Sequence, residues 1–201
     1  MIDEPIFKSI FGENWQDLPP VMQKHYANRP FTDDVTVVGG TLDLMCSGPM
    51  RMLSPLFWLM KGVPPKNEKD VPVTVNFKSD RSSKSFHFNR MFHFKNGRPY
   101  QFRSRMIQTE GNEVIEVMRF GIGWRMSYVW EDERVKLKHK GYVLCVLGIF
   151  IPIPLTFLMG EGYAEEVEVD DNTFDMSVSI THALWGKVYG YKGRFEVKSH
   201  P

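Results

Sequence analysis

Six residues combine acid, base, cation and hydroxyl chemistry at positions that strand periodicity turns to one side: Arg90, Ser104, Glu116, Tyr128, His139 and Glu165. A guanidinium can clamp a carboxylate or phosphate, a His–Glu pair can move a proton, and hydroxyls can orient a ligand. Their setting is apolar, because Phe92, Phe102 and Trp124 share the same faces. Arg90 is the sharpest signal. It interrupts the alternating series Phe86, Phe88, Phe92, Phe94. Burying an unpaired guanidinium costs several kcal/mol, so Arg90 requires an acid, a wet cavity or an anionic ligand. An inward Arg with an inward Glu reads equally as an ion pair tying a sheet together, and both readings stay open. His139 with Glu165 allows acid–base catalysis, but no nucleophile accompanies them, so binding is the expected activity and catalysis the alternative. All nine residues are candidate ligand contacts, and none is assigned a catalytic role.

These positions depend on a run of strands that starts at Val71. In an antiparallel pair opposed residues share a face, so loop length and apolar pattern must agree. A three-residue loop at Lys95–Gly97 brings Tyr100, Phe102, Ser104 and Met106 to the face of Phe88, Arg90 and Phe92. Loops at 110–112 and 121–123 bring Val114, Glu116, Met118 and Phe120, and then Trp124, Met126, Tyr128 and Trp130. A four-residue loop brings Val135, Leu137, His139, Gly141 and Val143. In this register Glu116 lies opposite Tyr128, and His139 lies opposite Met126. Beyond an apolar crossover, Tyr163, Glu165 and Val167 are expected inside with Phe174, Met176, Val178 and Ile180. Glu165 then faces His139, and Lys136 and Lys138 oppose Glu166 and Glu168 on the outer face.

Upstream, residues 5–11 read as a short helix, and a second is expected from an Asp17 cap through Tyr26, with Pro19 and Pro20 in its first turn. His25, beside Tyr26, reads as a surface or packing residue. Val35–Val38 and Thr41–Cys46 are strand-like, with a bulge or bend at Gly39-Gly40. Ser54–Gly62 is a helix apolar all round, so it must be buried on every side or meet something greasy. The expected fold is α+β, mostly β: an antiparallel meander of about nine strands forming a closed or strongly curved barrel-like sheet, with short N-terminal helices and one apolar helix near 54–61. It reads as a single domain, 1–201, whose helical segment 1–30 packs on a barrel-like body, 31–198.

Composition narrows the function. Lys and Arg total 25 against 24 acids, so no global field draws in nucleic acid. The 15 Phe, 5 Trp and 12 Met can line a cavity as well as fill a core. Cys46 and Cys145 form no C-x-x-C pair, and the N-terminus lacks a signal-peptide layout, so free thiols and a cytoplasmic location are expected. The uncharged stretch Gly141–Gly160 is nominally long enough for a membrane span, but Pro152 and Pro154 favour a strand and an apolar loop. No metal site is expected: His87 and His93 would sit about 20 Å apart along a strand. No cofactor is expected either, because no G-x-G-x-x-G, Walker or G-x-S-x-G sequence is present.

An ordered series of short motifs completes the reading. Leu18-Pro19-Pro20 precedes His25-Tyr26, followed by Pro72-Val73-Thr74-Val75, Arg90-x-Phe92 and Phe102-x-Ser104. Ile151-Pro152-Ile153-Pro154-Leu155 comes next, then Gly160-x-Gly162-x-Ala164, Phe174 and Gly190-Tyr191-x-Gly193. Over residues 17–196 this resembles the bacterial domain of unknown function 4166, found alone or attached to saccharopine-dehydrogenase-like proteins. The family pattern often carries Trp where this chain has Phe88. The resemblance implies no activity, but places Arg90 and Ser104 in the family's core motif and suggests a saccharopine-dehydrogenase-like partner by analogy. The chain is therefore expected to bind an apolar or amphipathic small molecule inside a barrel. Peripheral membrane or protein contact through Leu56, Phe57, Trp58 and Leu59 is the other alternative.

Overall fold

Alternating apolar faces from Val35 to Val197 need one common interior, and a closed sheet supplies it. The computed structural model describes residues 4–201, so Met1–Asp3 of the N-terminal segment read above lie outside the described residues. Helix α1 (Ile6–Phe11), a 3-10 turn (Gly12–Asp17) and α2 (Pro20–His25) precede β1 (Val35–Cys46). Helices α3 (Gly48–Met52) and α4 (Ser54–Met60) lead to β2 (Glu68–Ser79), β3 (Phe86–Phe92), β4 (Tyr100–Gln108), β5 (Glu113–Val117) and β6 (Ile122–Glu131). Strands β7 (Arg134–Val146) and β8 (Ile149–Ile153), helix α5 (Thr156–Met159), and strands β9 (Glu161–Glu168), β10 (Thr173–His182) and β11 (Gly186–Ser199) complete the chain. All pairings are antiparallel. Pairing of β6 with β7 and of β1 with β11 closes ten strands into a barrel, with β8 as an extra strand on the far half of β7.

The register repeats the parity argument over β3 to β5, with Arg90 opposite Phe102 and Met106 opposite Glu116. It departs at the next hairpin. Phe120 adopts a left-handed backbone and Met118 N–H donates to the Ile122 carbonyl, so Glu116 pairs with Trp124 rather than Tyr128. Parity survives because the slip is four residues. Asp132 and Glu133 are both left-handed, a two-residue primed turn that sets His139 opposite Met126 as expected.

Two expectations fail further on. A bulge between His139 and Gly141, where Gly141 has φ 126°, turns Tyr142 inward in place of Gly141 and Val143. Strand β9 is read one residue out of phase: Glu166 pairs with Val135, and Lys136 with Glu165. The inward residues are therefore Gly162, Ala164 and Glu166, while Glu165 faces out. Side chains as small as glycine and alanine carry almost no periodic hydrophobic signal, whereas Tyr163 and Val167 carry a misleading one.

Local details also differ. Pro19, with no side-chain bond, precedes α2, and Asp17 ends the 3-10 turn instead of capping. Gly39-Gly40 lies within one continuous strand. There β1 and β11 approach so closely that a Cβ added at Gly40 or Gly193 would strike the carbonyl oxygen of Arg194 or Thr41. Cys46 and Cys145 are free.

Helices α1 and α2 plug one end. Phe7 contacts Phe86 and Tyr128, each ring centroid 5.2 Å away. The opposite end, the mouth, carries α3, α4 and α5 over a second cluster that includes Met50, Phe57, Tyr142, Met159 and Tyr189. Gly193→Ala is expected to destabilise by about 1–3 kcal/mol through overpacking against backbone. Gly39→Ala, whose Cβ would meet only the flexible Lys198 side chain at 3.5 Å, is expected to change stability by less than about 1 kcal/mol. Urea unfolding of both variants checks the difference.

Candidate functional site

Strands β3, β4 and β5 lie side by side, so three inward polar residues meet. Arg90 Nη1 donates to Glu116 Oε1 at 2.8 Å and to Ser104 Oγ at 3.1 Å, while Ser104 Oγ donates to the same carboxylate oxygen at 2.6 Å. The guanidinium lies over the rings of Phe88 and Phe102, 4.5 and 4.6 Å from their centroids. Only 12% of the Arg90 side chain and 9% of the Glu116 side chain remain accessible. Burial, the largest single influence, opposes the guanidinium charge, but Glu116 together with Tyr191 and Tyr128 outweighs it and the Arg90 pKa is raised. The ion pair foreseen as one of two readings is thus present. It uses a single nitrogen of the guanidinium.

A second polar group was not foreseen. Tyr26, at the end of α2, donates its hydroxyl to Glu166 Oε2 on β9. His25 Nε2 lies 3.8 Å from Glu166 Oε1, beyond hydrogen-bond reach. Burial pushes the Glu166 carboxyl up to about 7 and the His25 imidazole down to about 3, so a protonated or half-protonated acid faces a neutral ring at neutral pH. His25 Nδ1 is buried without a partner. Its ring packs edge-on against Phe77, 4.6 Å away, so the packing reading of His25 holds, in the interior rather than at the surface. Tyr128 links the two groups electrostatically: burial raises its pKa first, and the charges of Glu166 and Glu116 raise it further. Tyr191, from β11, is pushed up to about 12 mainly by burial. The sequence signal for these residues lay in His25-Tyr26, Gly162-x-Ala164 and Gly190-Tyr191-x-Gly193, whose side-chain roles only closure of the barrel reveals.

Both groups line one interior cavity of ≈130 Å³. His25 and Tyr26 bound it at the plugged end, and Phe57 and Met60 of α4 with Leu155 before α5 and Met159 at its end bound it at the mouth. Arg90, Phe102, Glu116, Trp124 and Tyr128 line it as expected, while Ser104 stands behind them as the bridge to Glu116. Three expected contacts lie elsewhere. Phe92 packs against Phe94 and Tyr100. His139 Nδ1 accepts from Trp124 Nε1 at 2.9 Å and its Nε2 meets Thr156 Oγ1 at 3.2 Å, so it joins the cavity wall to α5 with both nitrogens engaged. Burial lowers its pKa, as a ring held neutral requires. Glu165, on the outer face, accepts from Arg134 and Tyr163 at 3.2 Å each, so no His139–Glu165 pair exists. Among the described residues no group of three or more His, Cys, Asp or Glu is placed to hold a metal ion.

A family model described as a domain of unknown function (DUF4166) matches residues 18–195, nearly the whole chain. The chain belongs to that family. No curated protein matches it. The matched span of this DUF4166 chain contains both polar groups and every strand of the closed barrel as far as residue 195, within β11.

Two outcomes test this geometry. Arg90→Leu strands the Glu116 carboxylate in the barrel and is expected to cost about 3–5 kcal/mol, much of which Arg90→Leu/Glu116→Leu recovers; urea unfolding of the set checks it. Glu166 has a folded-state pKa of about 7, above the ordinary 4.5. Its stabilising contribution is fully present below pH 4.5 and is lost as pH rises through 7. Relative to Glu166→Gln, the wild type is therefore expected to lose about 3 kcal/mol between acidic and mildly alkaline pH. A pH-independent difference between the two proteins contradicts the assignment.

Proposed function

We propose that the barrel binds a small apolar or amphipathic molecule in its interior. The observation that carries this reading is the interior ≈130 Å³ cavity, roughly tenfold the 10–15 Å³ that one water needs, lined mainly by aromatic and aliphatic side chains with its charged groups at its middle and plugged end. Its polarity is graded. Phe57, Met60, Leu155 and Met159 make the mouth end apolar, while Arg90, Glu116, Tyr128, Tyr191 and Glu166 lie deeper. An amphipathic ligand fits with its polar group inward, against the guanidinium nitrogens that the ion pair leaves unused, and its apolar body towards the mouth. Glu116 already neutralises Arg90, so a neutral hydrogen-bonding head group suits the site better than a free anion.

One observation favours a second reading. A carboxyl group titrating near 7 beside a buried tyrosine can exchange a proton with a bound ligand, so Glu166, in place of the pair His139 and Glu165, is the residue to test for acid–base chemistry.

Native mass spectrometry of the purified protein is expected to show a co-purifying small molecule, and the emptied protein is expected to take up N-phenyl-1-naphthylamine with a fluorescence increase. Ala164→Leu and Val178→Phe, which add bulk to the cavity, are expected to weaken that uptake about tenfold each while leaving the fold intact. A protein that carries nothing and excludes the probe overturns the reading.

A further inference from the structure

Antiparallel closure sorts the connections by end, because successive turns of an up-and-down barrel alternate. The β1–β2, β3–β4, β5–β6 and β10–β11 connections and the stretch from β7 to β9 share the mouth. The N-terminal helices and the other turns share the plugged end. Most large apolar side chains left in water follow this division, Phe31, Val35 and Val169 at the plugged end being the exceptions. Leu59 on α4, Phe120, Leu147 in the β7–β8 turn, Phe157 on α5, and Leu184 and Trp185 in the β10–β11 turn are all exposed, Leu147 by 98% and Phe157 by 87%. Five separate connections thus contribute exposed apolar side chains to one end of the barrel, an apolar crown. Helix α4 shows the logic locally: Phe57 and Met60 face the cavity, so Leu56 and Leu59 on its other side are left without cover.

Charge follows the same division. Segments 45–70, 93–99, 118–121, 141–161 and 182–187 at the mouth carry eight Lys and Arg against three Asp and Glu, while the rest of the chain carries seventeen against twenty-one. The turns 80–85, 109–112, 132–133 and 169–172 at the plugged end reverse the sign, with six acids and two bases. An apolar crown set among net positive charge is complementary on both counts to a bilayer with anionic headgroups. A second copy of the same face would bring like charges together. The barrel wall itself does not suit lipid, since Lys78, Arg103 and Arg105 point outward from β2 and β4.

We propose that the mouth of the barrel docks on an anionic lipid surface, with Leu59, Phe120, Leu147, Phe157, Leu184 and Trp185 entering the headgroup region and α4 and α5 at the contact. This enlarges the docking surface expected from Leu56–Leu59 alone and holds whatever the cavity contains. Phe57 of that segment is buried and lines the cavity instead.

Flotation with phosphatidylcholine vesicles and with mixed phosphatidylcholine–phosphatidylglycerol vesicles tests it. The chain is expected to float with the mixed vesicles, less so at high salt and weakly with neutral ones. Leu147→Asp/Phe157→Asp, at two sites in water, is expected to lower the partition coefficient about tenfold or more while thermal unfolding and N-phenyl-1-naphthylamine uptake stay unchanged. Three results overturn the proposal: no flotation with either vesicle, equal flotation of wild type and double variant, or equal binding to neutral and anionic vesicles. A dimer on sizing that the double variant dissolves, without vesicle binding, also overturns it and assigns the crown to self-association.

Discussion

A positive charge inside a hydrophobic barrel has to be neutralised by the barrel, and the Arg90–Glu116 pair is the constraint on which the interior depends. Arg90, Ser104 and Glu116 come from three consecutive strands, so one interaction holds the mutual register of β3, β4 and β5. Its single shared nitrogen leaves the rest of the guanidinium beside the cavity. The pair is thus a structural tie, and under the proposed function it would also be a polar wall for a ligand. The rings of Phe88 and Phe102 complete the arrangement by supplying faces on which a guanidinium is stabilised without hydration.

The same logic runs in reverse at Glu166. No cation is placed against it, so desolvation holds the carboxyl up near neutrality and Tyr26 supplies the hydrogen bond. This contact ties the N-terminal plug to β9 across the end of the barrel. His25, one residue away from Tyr26, remains neutral for the same reason, with one nitrogen lacking a partner among the described residues. Two acids in one cavity therefore have different partners: Glu116 has a guanidinium at hydrogen-bond distance and Glu166 has a phenol.

The barrel also has direction. Antiparallel alternation places the N-terminal plug and acidic turns at one end, and helices α3 to α5, most exposed apolar tips and excess positive charge at the other. A helix such as α4, apolar on every side, is stable only between two apolar environments. The cavity is one of them, and on the proposed docking a lipid surface would supply the second. Ligand uptake through the mouth and attachment by the mouth would then be one geometry. Among the described residues no helix is long and apolar enough to cross a membrane.

Much of this was legible in the residue pattern. Alternation of large side chains, combined with loop lengths, determined the mostly β antiparallel body, the inward Arg90, Ser104, Glu116 and Tyr128, and the apolar helix near 54–61. The motif series determined the family. Three things belonged to the tertiary structure. The bulge before Gly141 reverses the face of Tyr142 without any change in hydrophobic composition. The phase of β9 rests on Gly162 and Ala164, which are inside because the Trp124 ring lies where a Cβ on residue 162 would go. The pairing of Tyr26 with Glu166 joins residues 140 positions apart. Periodicity reports side chains that gain by burial; it is silent where space, rather than hydrophobicity, selects the residue, and there only the closed barrel decides.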